Sequence, residues 1–458
     1  MPGMGGSRDR YVDFLRAWAI LLVVAGHWLI TGLVRDPDGR IAAPELLAAV
    51  PWTQWLTLGF QIMPLFFLAG GHAASGSWER ARAGGATGAG WVGQRAVRLL
   101  LPVAAYSCLV LLAVGVSSAV GVERGTLALV GWAMAMQFWF LPVYLLLSAL
   151  TPAMYGLHRR WGARVPVGMG VVALGVGTLV VGGAGGASYG GVVEAVGALN
   201  YLLVWGVVYQ LGFCWRDGSL GEGGRRRALP AAMAVGGGVG FALLVGLGPF
   251  PVSLILVTGQ DPSNTNPPSM AMLAWAVAQV GVCLLVAPGV RRVVERAAVW
   301  RVVRGMGAAS MTLYLWHMLP VLVVAAAFYL TGLAPQPEYG SGAWWAMRVP
   351  WLLVLGGVLG GVVAALRPLE RGLAELSGRM RPDAGLRGVA AWRLWAGMGL
   401  SVGALTYFAG HGFAYGGRFP VAAAVGLAVG TGLVLFPGRG RAGARRPVAV
   451  EGALEEAA

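Results

Sequence analysis

The sequence predicts an all-α polytopic membrane protein with about twelve transmembrane helices. Hydrophobic residues make up 57% of the chain and charged residues only 12%, against about 25% charged residues in soluble domains. The apolar residues form stretches long enough to cross a bilayer. The 74 glycines suit the close approach of helices in lipid. The first stretch lacks a small-residue cleavage site, so we interpret it as a permanent anchor.

The apolar stretches place the predicted spans along the chain. These spans are residues 12–33, 54–76, 97–119, 127–150, 165–183, 197–214, 229–247, 270–288, 308–331, 349–366, 394–412 and 420–436. They divide the chain into a polar tail (1–10), a ten-span core (11–370), a charged linker (371–393), two additional spans (394–436) and a second polar tail (437–458). The long loop 249–268 is rich in Pro and Asn, which predicts an ordered non-helical lid rather than another span.

The arginines predict the orientation of these spans. All 34 basic residues are arginine, and 28 of them fall in alternate connecting segments, whereas five fall in the segments between and Arg16 lies within the first span. The positive-inside rule therefore places both termini in the cytoplasm of a cell-membrane protein. Because orientation accounts for the net charge of +15, we expect the partner of the chain to be the lipid bilayer rather than nucleic acid.

Two ionisable residues in the first span, Arg16 and His27, are the strongest functional signal. Eleven residues at about 100° each return a helix to nearly the same face, so the two side chains stack about 16 Å apart. Asp13 lies near the same stripe and can neutralise Arg16. Ionisable residues inside a span are costly and usually functional. A neutral imidazole is suited to the role of general base, although a histidine that only bonds neighbouring helices is the alternative.

Other polar residues extend this hypothesis. Arg95 and Arg98 lie at the predicted cytoplasmic entry of the third span, where two guanidiniums one turn apart suit phosphate oxygens. The alternative is that they only orient the span. His72 and His317 lie within the second and ninth spans, and each either lines the cavity of His27 or bonds neighbouring helices.

Motifs of other enzyme and transporter classes are missing from the sequence. It has no phosphate-binding Walker loop, dinucleotide-binding glycine motif, nucleophile elbow or His/Cys metal cluster. We therefore expect neither ATP-driven transport nor a soluble-type hydrolase, and no metal cofactor.

Several segments in order resemble the acyltransferase-3 family of integral-membrane O-acyltransferases. They are Arg16-x10-His27 within RYVDFLRAWAILLVVAGH, MPLFFLAGG, the Arg-x-x-Arg element RAVR (95–98) with Pro102, FWFLPVYLLLSALTP and LYLWHMLP. The resemblance covers roughly residues 8–370. One departure is Gly70-Gly71-His72, where many members have Ser-Gly followed by an aromatic residue.

This resemblance implies a mechanism. The family takes an acyl group, usually acetyl, from a cytoplasmic coenzyme A thioester, which Arg95 and Arg98 would bind. His27 and Arg16 would act in catalysis. Independently of the resemblance, Asp13, His72, Tyr314 and His317 are the further residues expected to line the cavity. The acceptor would be an external hydroxyl of a glycan, a glycolipid or a glycosylated small molecule. A secondary transporter or flippase for a small solute or lipid is the alternative, against which the lack of visible internal repeats argues.

Overall fold

The computed structural model describes residues 9–36, 39, 41–183, 190–221 and 227–437. Helices dominate this part of the chain, and the strands in it are β1 (Val34–Arg35) and β2 (Ile41–Ala42), which pair antiparallel. The predicted tails lie mostly outside the described residues, from residue 1 to 8 and from residue 438 onward.

The α-helices follow the predicted spans in chain order. They are α1 (Arg10–Ile30), α2 (Leu46–Ala49), α3 (Thr57–Phe60), α4 (Met63–Ala83), α5 (Gly88–Ala119), α6 (Arg124–Ala133), α7 (Phe140–Trp161), α8 (Arg164–Gly183), α9 (Gly190–Gly197), α10 (Leu199–Arg216), α11 (Ala228–Gly246), α12 (Met270–Val294), α13 (Ala297–Ala308), α14 (Ser310–Trp316), α15 (Leu319–Val324), α16 (Gly342–Arg379), α17 (Gly388–His411) and α18 (Val421–Leu435). Short 3₁₀ segments cover Pro51–Leu56, Met136–Trp139 and Tyr415–Gly417, and a π-helical turn covers Ala325–Tyr329.

Nine helical segments in the described ranges are long and apolar enough to cross a membrane. A tenth results if α14 and α15 with the π-helical turn, which meet at a bend of 43°, form one broken span. The C-terminal helix α18 is apolar but shorter, and α17 is not among the nine. The chain is therefore an all-α multi-pass membrane protein, and the count of twelve stays a prediction.

The predicted span 127–150 is not one helix. It breaks between α6 and α7 around Gln137, whose side-chain amide donates to the carbonyl of Met134 at 3.0 Å. The Tyr106 hydroxyl donates to the same carbonyl at 2.6 Å, and the Tyr314 hydroxyl donates to the carbonyl of Gln137 at 2.6 Å. Side chains from distant segments thus satisfy backbone groups that the break frees, and the candidate span on its C-terminal side is Met136–Trp161.

The predicted span 308–331 is also interrupted. Helix α14 ends at Trp316, two residues follow, and α15 then begins at Leu319 with Pro320 at its second position. Proline has no N–H to donate to the carbonyl four residues earlier, so the preceding helix does not continue through it. The carbonyl of His317, freed by the break, instead accepts a 2.7 Å hydrogen bond from the indole of Trp28.

The loop 249–268 is ordered and non-helical, as predicted. Its Leu254 is completely buried and is held on both sides by the chain that precedes α4. The Gln61 side chain donates to the Leu254 carbonyl at 2.7 Å, and the Leu254 N–H donates to the Thr57 hydroxyl at 3.0 Å. The loop therefore covers the end of the bundle that lies opposite Asp9, where α1 begins.

Glycines bring α4 and α10 together, as the composition predicts. A Cβ on Gly71 would lie 1.9 Å from the backbone oxygen of Tyr209, and one on Gly212 would lie 2.3 Å from that of Leu68. No side chain fits at either distance, so these positions need glycine. The close approach positions the middle of α4 against α10.

The C-terminal helices pack into the same core as the rest of the chain. Helix α16 continues to Arg379, so the predicted boundary at residue 371 falls inside a helix. After α17, the Phe413 ring packs 5.5 Å from that of Phe138, and the Phe413 N–H donates to the carbonyl of Gly131 at 3.0 Å. The two additional helices are thus joined to the break between α6 and α7.

Candidate functional site

Helix α1 carries the candidate site and is held at both ends. At its start, Asp9 accepts hydrogen bonds of 2.8 and 3.0 Å from Arg291 of α12. Burial raises the pKa of the Asp9 carboxyl, but Arg291 and the backbone N–H of Tyr11 act in the opposite direction, and the pKa lies below its usual value. At the other end, Arg348 of α16 donates to the Thr31 carbonyl at 2.9 Å. These contacts restrict sliding and rotation of the helix.

His27 and His317 form a direct pair. The Nδ1 atom of His27 lies 2.7 Å from Nε2 of His317, and the two rings stack with centroids 5.0 Å apart. His317 is completely buried, whereas His27 is half-buried and keeps accessible surface. The pair therefore has a fully buried ring and a ring that keeps part of its surface accessible.

The hydrogen-bond partners assign the protons of this pair. Nδ1 of His317 lies 2.8 Å from the backbone carbonyl of Tyr314. A carbonyl only accepts, so this nitrogen carries the proton, and Nε2 of the neutral ring is an acceptor. His27 must then donate through Nδ1, which leaves the lone pair on its Nε2. The pair thus presents a free basic nitrogen on the accessible ring.

Tyr314 connects this pair to the break between α6 and α7. Its carbonyl orients His317, while its hydroxyl donates to the Gln137 carbonyl. The Gln137 amide donates in addition to the Leu315 carbonyl at 3.2 Å, on the helix that carries Tyr314. The break between α6 and α7 is thereby bonded to the break between α14 and α15, beside the histidines.

A second polar cluster lies nearer the N-terminal end of α1, at the level of Arg16. The Tyr144 hydroxyl of α7 accepts a 3.5 Å hydrogen bond from Nη2 of Arg95, and it also interacts with the guanidinium of Arg16. The Arg95 guanidinium lies 4.8 Å from the centre of the Trp91 ring. Asp13 is half-buried one turn before Arg16. The structure thus brings Arg16 and Arg95 to one tyrosine.

A row of aromatic rings joins the two clusters. The Phe140 ring lies 5.1 Å from the Tyr144 ring and 5.9 Å from the Tyr314 ring, and Tyr314 contacts His317. The arginine level and the histidine level, about 16 Å apart on α1, are therefore connected by one aromatic wall.

The remaining predicted residues lie apart from His27. Arg98 is exposed, and the charges nearest to it are those of Arg381 and Arg95.

The His72 ring packs 4.4 Å from that of Trp215 on α10. Its charged neighbours, Asp9, Arg216, Arg291 and Arg16, place it at the level where α1 begins. Of the two histidines expected as alternatives near His27, the structure brings only His317 to it.

Sequence reasoning missed Tyr144 and Gln137. Both are polar residues within apolar runs, Gln137 before FWFLP and Tyr144 after it. This isolation was the available signal, because polar groups inside a span need partners. For metals, the described ranges contain no group of three or more His, Cys, Asp or Glu side chains placed to hold an ion.

The comparison with protein families gives one match. The family model described as an acyltransferase domain, Acyl_transf_3, matches residues 9–367, which is more than half of the chain. The match includes both clusters and ends before α17. Neither the curated proteins nor the solved structures give a match.

Proposed function

This chain belongs to the acyltransferase-3 family and is a multi-pass membrane acyltransferase, and from this premise we propose that it lies in the plasma membrane and acylates a hydroxyl group on the extracytoplasmic side. The proposed donor is a cytoplasmic coenzyme A thioester, with acetyl as the group transferred. The proposed acceptor is a glycan, a glycolipid or a glycosylated small molecule. Family membership favours this enzyme over the transporter or flippase considered as the alternative.

The histidine pair is the observation on which the proposal rests. Nε2 of His27 accepts the proton of the acceptor hydroxyl as its oxygen attacks the thioester carbonyl carbon. The carbon–sulfur bond breaks, and the thiolate leaves and takes up the proton. His317 accepts the Nδ1–H bond throughout and so stabilises the charged form of His27. General-base assistance of this kind contributes about 10² to 10⁴ in rate.

Arg95 is suited to the donor phosphates. Its guanidinium is half-buried, and its Nε atom is buried without a hydrogen-bond partner in the described part of the chain. The ion pairs found there do not include Arg95. An unpaired, partly desolvated guanidinium favours an anion. From this level the acyl arm would follow the Phe140 wall to His27.

Arg95→Ala is expected to raise the apparent KM for the donor about tenfold, because a hydrogen bond to a charged group contributes about 1.5–3 kcal/mol. Arg98→Ala, at an exposed position, should have a smaller effect. The acceptor KM should stay within twofold, since a hydroxyl carries no charge. Lysine should rescue only in part, because it lacks the planar fork. Steady-state kinetics in proteoliposomes measure both constants.

Arg82→Ala serves as the matched control, since Arg82 is exposed on the preceding helix end. It should leave both constants unchanged. A role limited to orientation predicts lower protein levels but normal kinetics for inserted Arg95→Ala protein. Normal donor kinetics in that protein would contradict phosphate binding by Arg95.

We further propose twelve spans with both termini in the cytoplasm. Contacts among the arginine-rich ends support this arrangement, since Asp9 pairs with Arg291 and Glu79 lies 4.0 Å from Arg216. Reporter fusions after residues 385 and 458 should be active only in the cytoplasm, and fusions near residue 415 only outside. A fusion at residue 458 that reports only the exterior would contradict the twelve-span topology.

Release of free thiol tests the proposed reaction directly. Membranes containing the protein should release thiol from acetyl coenzyme A in an acceptor-dependent manner, and membranes without it should not. Mass spectrometry of surface glycans, lipids and secreted glycosides from cells with and without the gene should show a shift of one acyl group. Gene-dependent solute or lipid movement without thiol release would favour the transporter instead.

A further inference from the structure

The segment 380–387, between α16 and α17, lies outside the residues that the family model matches but is docked on the family core. The N–H of Thr87, which caps α5, donates to the Ala384 carbonyl at 2.9 Å, and its hydroxyl donates to the Leu386 carbonyl at 2.9 Å. About two turns later, Gln94 donates to the Pro382 carbonyl at 3.1 Å. The segment therefore follows the first two turns of α5.

A glycine on α5 permits this docking. A Cβ on Gly90 would lie 2.1 Å from the Ala384 carbonyl oxygen. That atom belongs to the backbone, so any side chain at position 90 would displace the segment. The contact is thus close and specific.

Docking brings Arg381 to the donor arginines. Its Nη2 donates to Oε1 of Gln94 at 2.6 Å. Gln94 lies four residues before Arg98, so both lie on the same face of α5. Arg381 is exposed, as is Arg98, and Arg95 lies beside them. Three guanidiniums are therefore gathered around the second and third turns of α5.

These three cations lack nearby compensation within the described ranges. None of them takes part in an ion pair with a carboxylate there. An arginine at a cytoplasmic helix end normally only faces water, and a single one would need no further explanation. Arg381 differs because a hydrogen bond of its own holds it beside two like charges. Like charges held close together repel, and a polyanion bound among them removes this cost.

We propose that Arg381 is a third binding residue for the phosphates of the coenzyme A donor, supplied by the C-terminal addition rather than by the family core. The inference rests on the proposed function. It assigns a role to the segment 380–387, which connects α16 to α17. Arg95 would contact the donor deepest in the bundle, and Arg98 and Arg381 would contact it at the surface.

Arg381→Gln tests this assignment in the full-length protein. The dissociation constant for coenzyme A and the apparent KM for acetyl coenzyme A should both rise about threefold to tenfold, because an exposed guanidinium contributes less than a buried one. The acceptor KM should be unchanged. The matched control is Arg371→Gln, which removes an exposed arginine from α16 about two turns before its end. It should leave both donor constants at wild-type values.

Chemical protection gives a second test that needs no variant. Phenylglyoxal modifies accessible arginines, and saturating coenzyme A should protect Arg381 and Arg98 but not Arg371 in the wild-type protein. An unchanged dissociation constant in folded Arg381→Gln protein, or unprotected Arg381, would overturn the assignment. If Arg95→Ala still weakens coenzyme A binding in that case, the proposed function stands and only the role of Arg381 fails. If the wild-type protein does not bind coenzyme A, the proposed function itself fails.

Discussion

His27→Ala is expected to lower the rate of acyl transfer at least about a hundredfold, because the substitution removes the proton acceptor of the reaction. Membrane insertion should be unaffected. The helix remains long and apolar, and its ends stay bonded to Arg291 and Arg348. The measurement is acceptor-dependent thiol release per mole of folded protein, with protein quantified by size-exclusion chromatography in detergent.

His411→Ala is the matched control for this substitution. His411 is exposed at the end of α17, so its loss should leave the rate within twofold of the wild-type value. Well-folded His27→Ala protein that keeps more than about a tenth of the wild-type rate would contradict the role of general base, since such a base contributes at least about 10²-fold.

His317→Ala should have the second-largest effect, a decrease in kcat of about 10- to 100-fold, the range typical when a partner that orients a catalytic group is removed. His27 would keep its imidazole ring but lose the hydrogen-bond acceptor at its Nδ1. The ring would then no longer be held in one orientation or in the tautomer that has a free Nε2. Both KM values should change less than threefold. His317→Gln should recover part of kcat, because its side-chain oxygen can accept the same bond.

This pattern separates positioning from packing. The bond from Trp28 goes to the backbone carbonyl of His317, so it survives either substitution and continues to join α1 to the break. A purely structural role predicts that the alanine and glutamine variants lose folded protein and retain the wild-type kcat in the remainder. Equal kcat values for His317→Ala, His317→Gln and the wild type would rule out the positioning role.

The candidate site lies at two breaks between helices, one between α6 and α7 and one between α14 and α15. Gln137 and Tyr314 bond the breaks to each other, and this network holds His317 in one orientation. Preorganisation of this kind is needed because a catalytic group acts only within a narrow range of geometry. The two breaks therefore lie beside the histidine pair, since His317 belongs to one break and Tyr314 bonds this histidine to the other.

The sequence by itself determined the class of the protein and much of its local structure. Composition predicted the membrane-spanning helices, and the Arg16–His27 spacing placed both residues on one helix face. The proline- and asparagine-rich composition predicted the ordered loop 249–268, and the ordered motifs identified the family. These features depend on residues close together in the chain or on overall composition. They can therefore be predicted without knowing which helices are neighbours in the folded protein.

Only the tertiary structure decided which polar residues meet. His27 and His317 are 290 positions apart, and His72 was an equally good partner by residue type. Arg95 faces Tyr144 whereas Arg98 is exposed, although the motif treats them alike. Arg381 joins them only because a loop docks at Gly90. These outcomes depend on how each helix is rotated about its axis and on where it breaks. Long-range packing and hydrogen bonding determine the rotation and the breaks, and local periodicity does not.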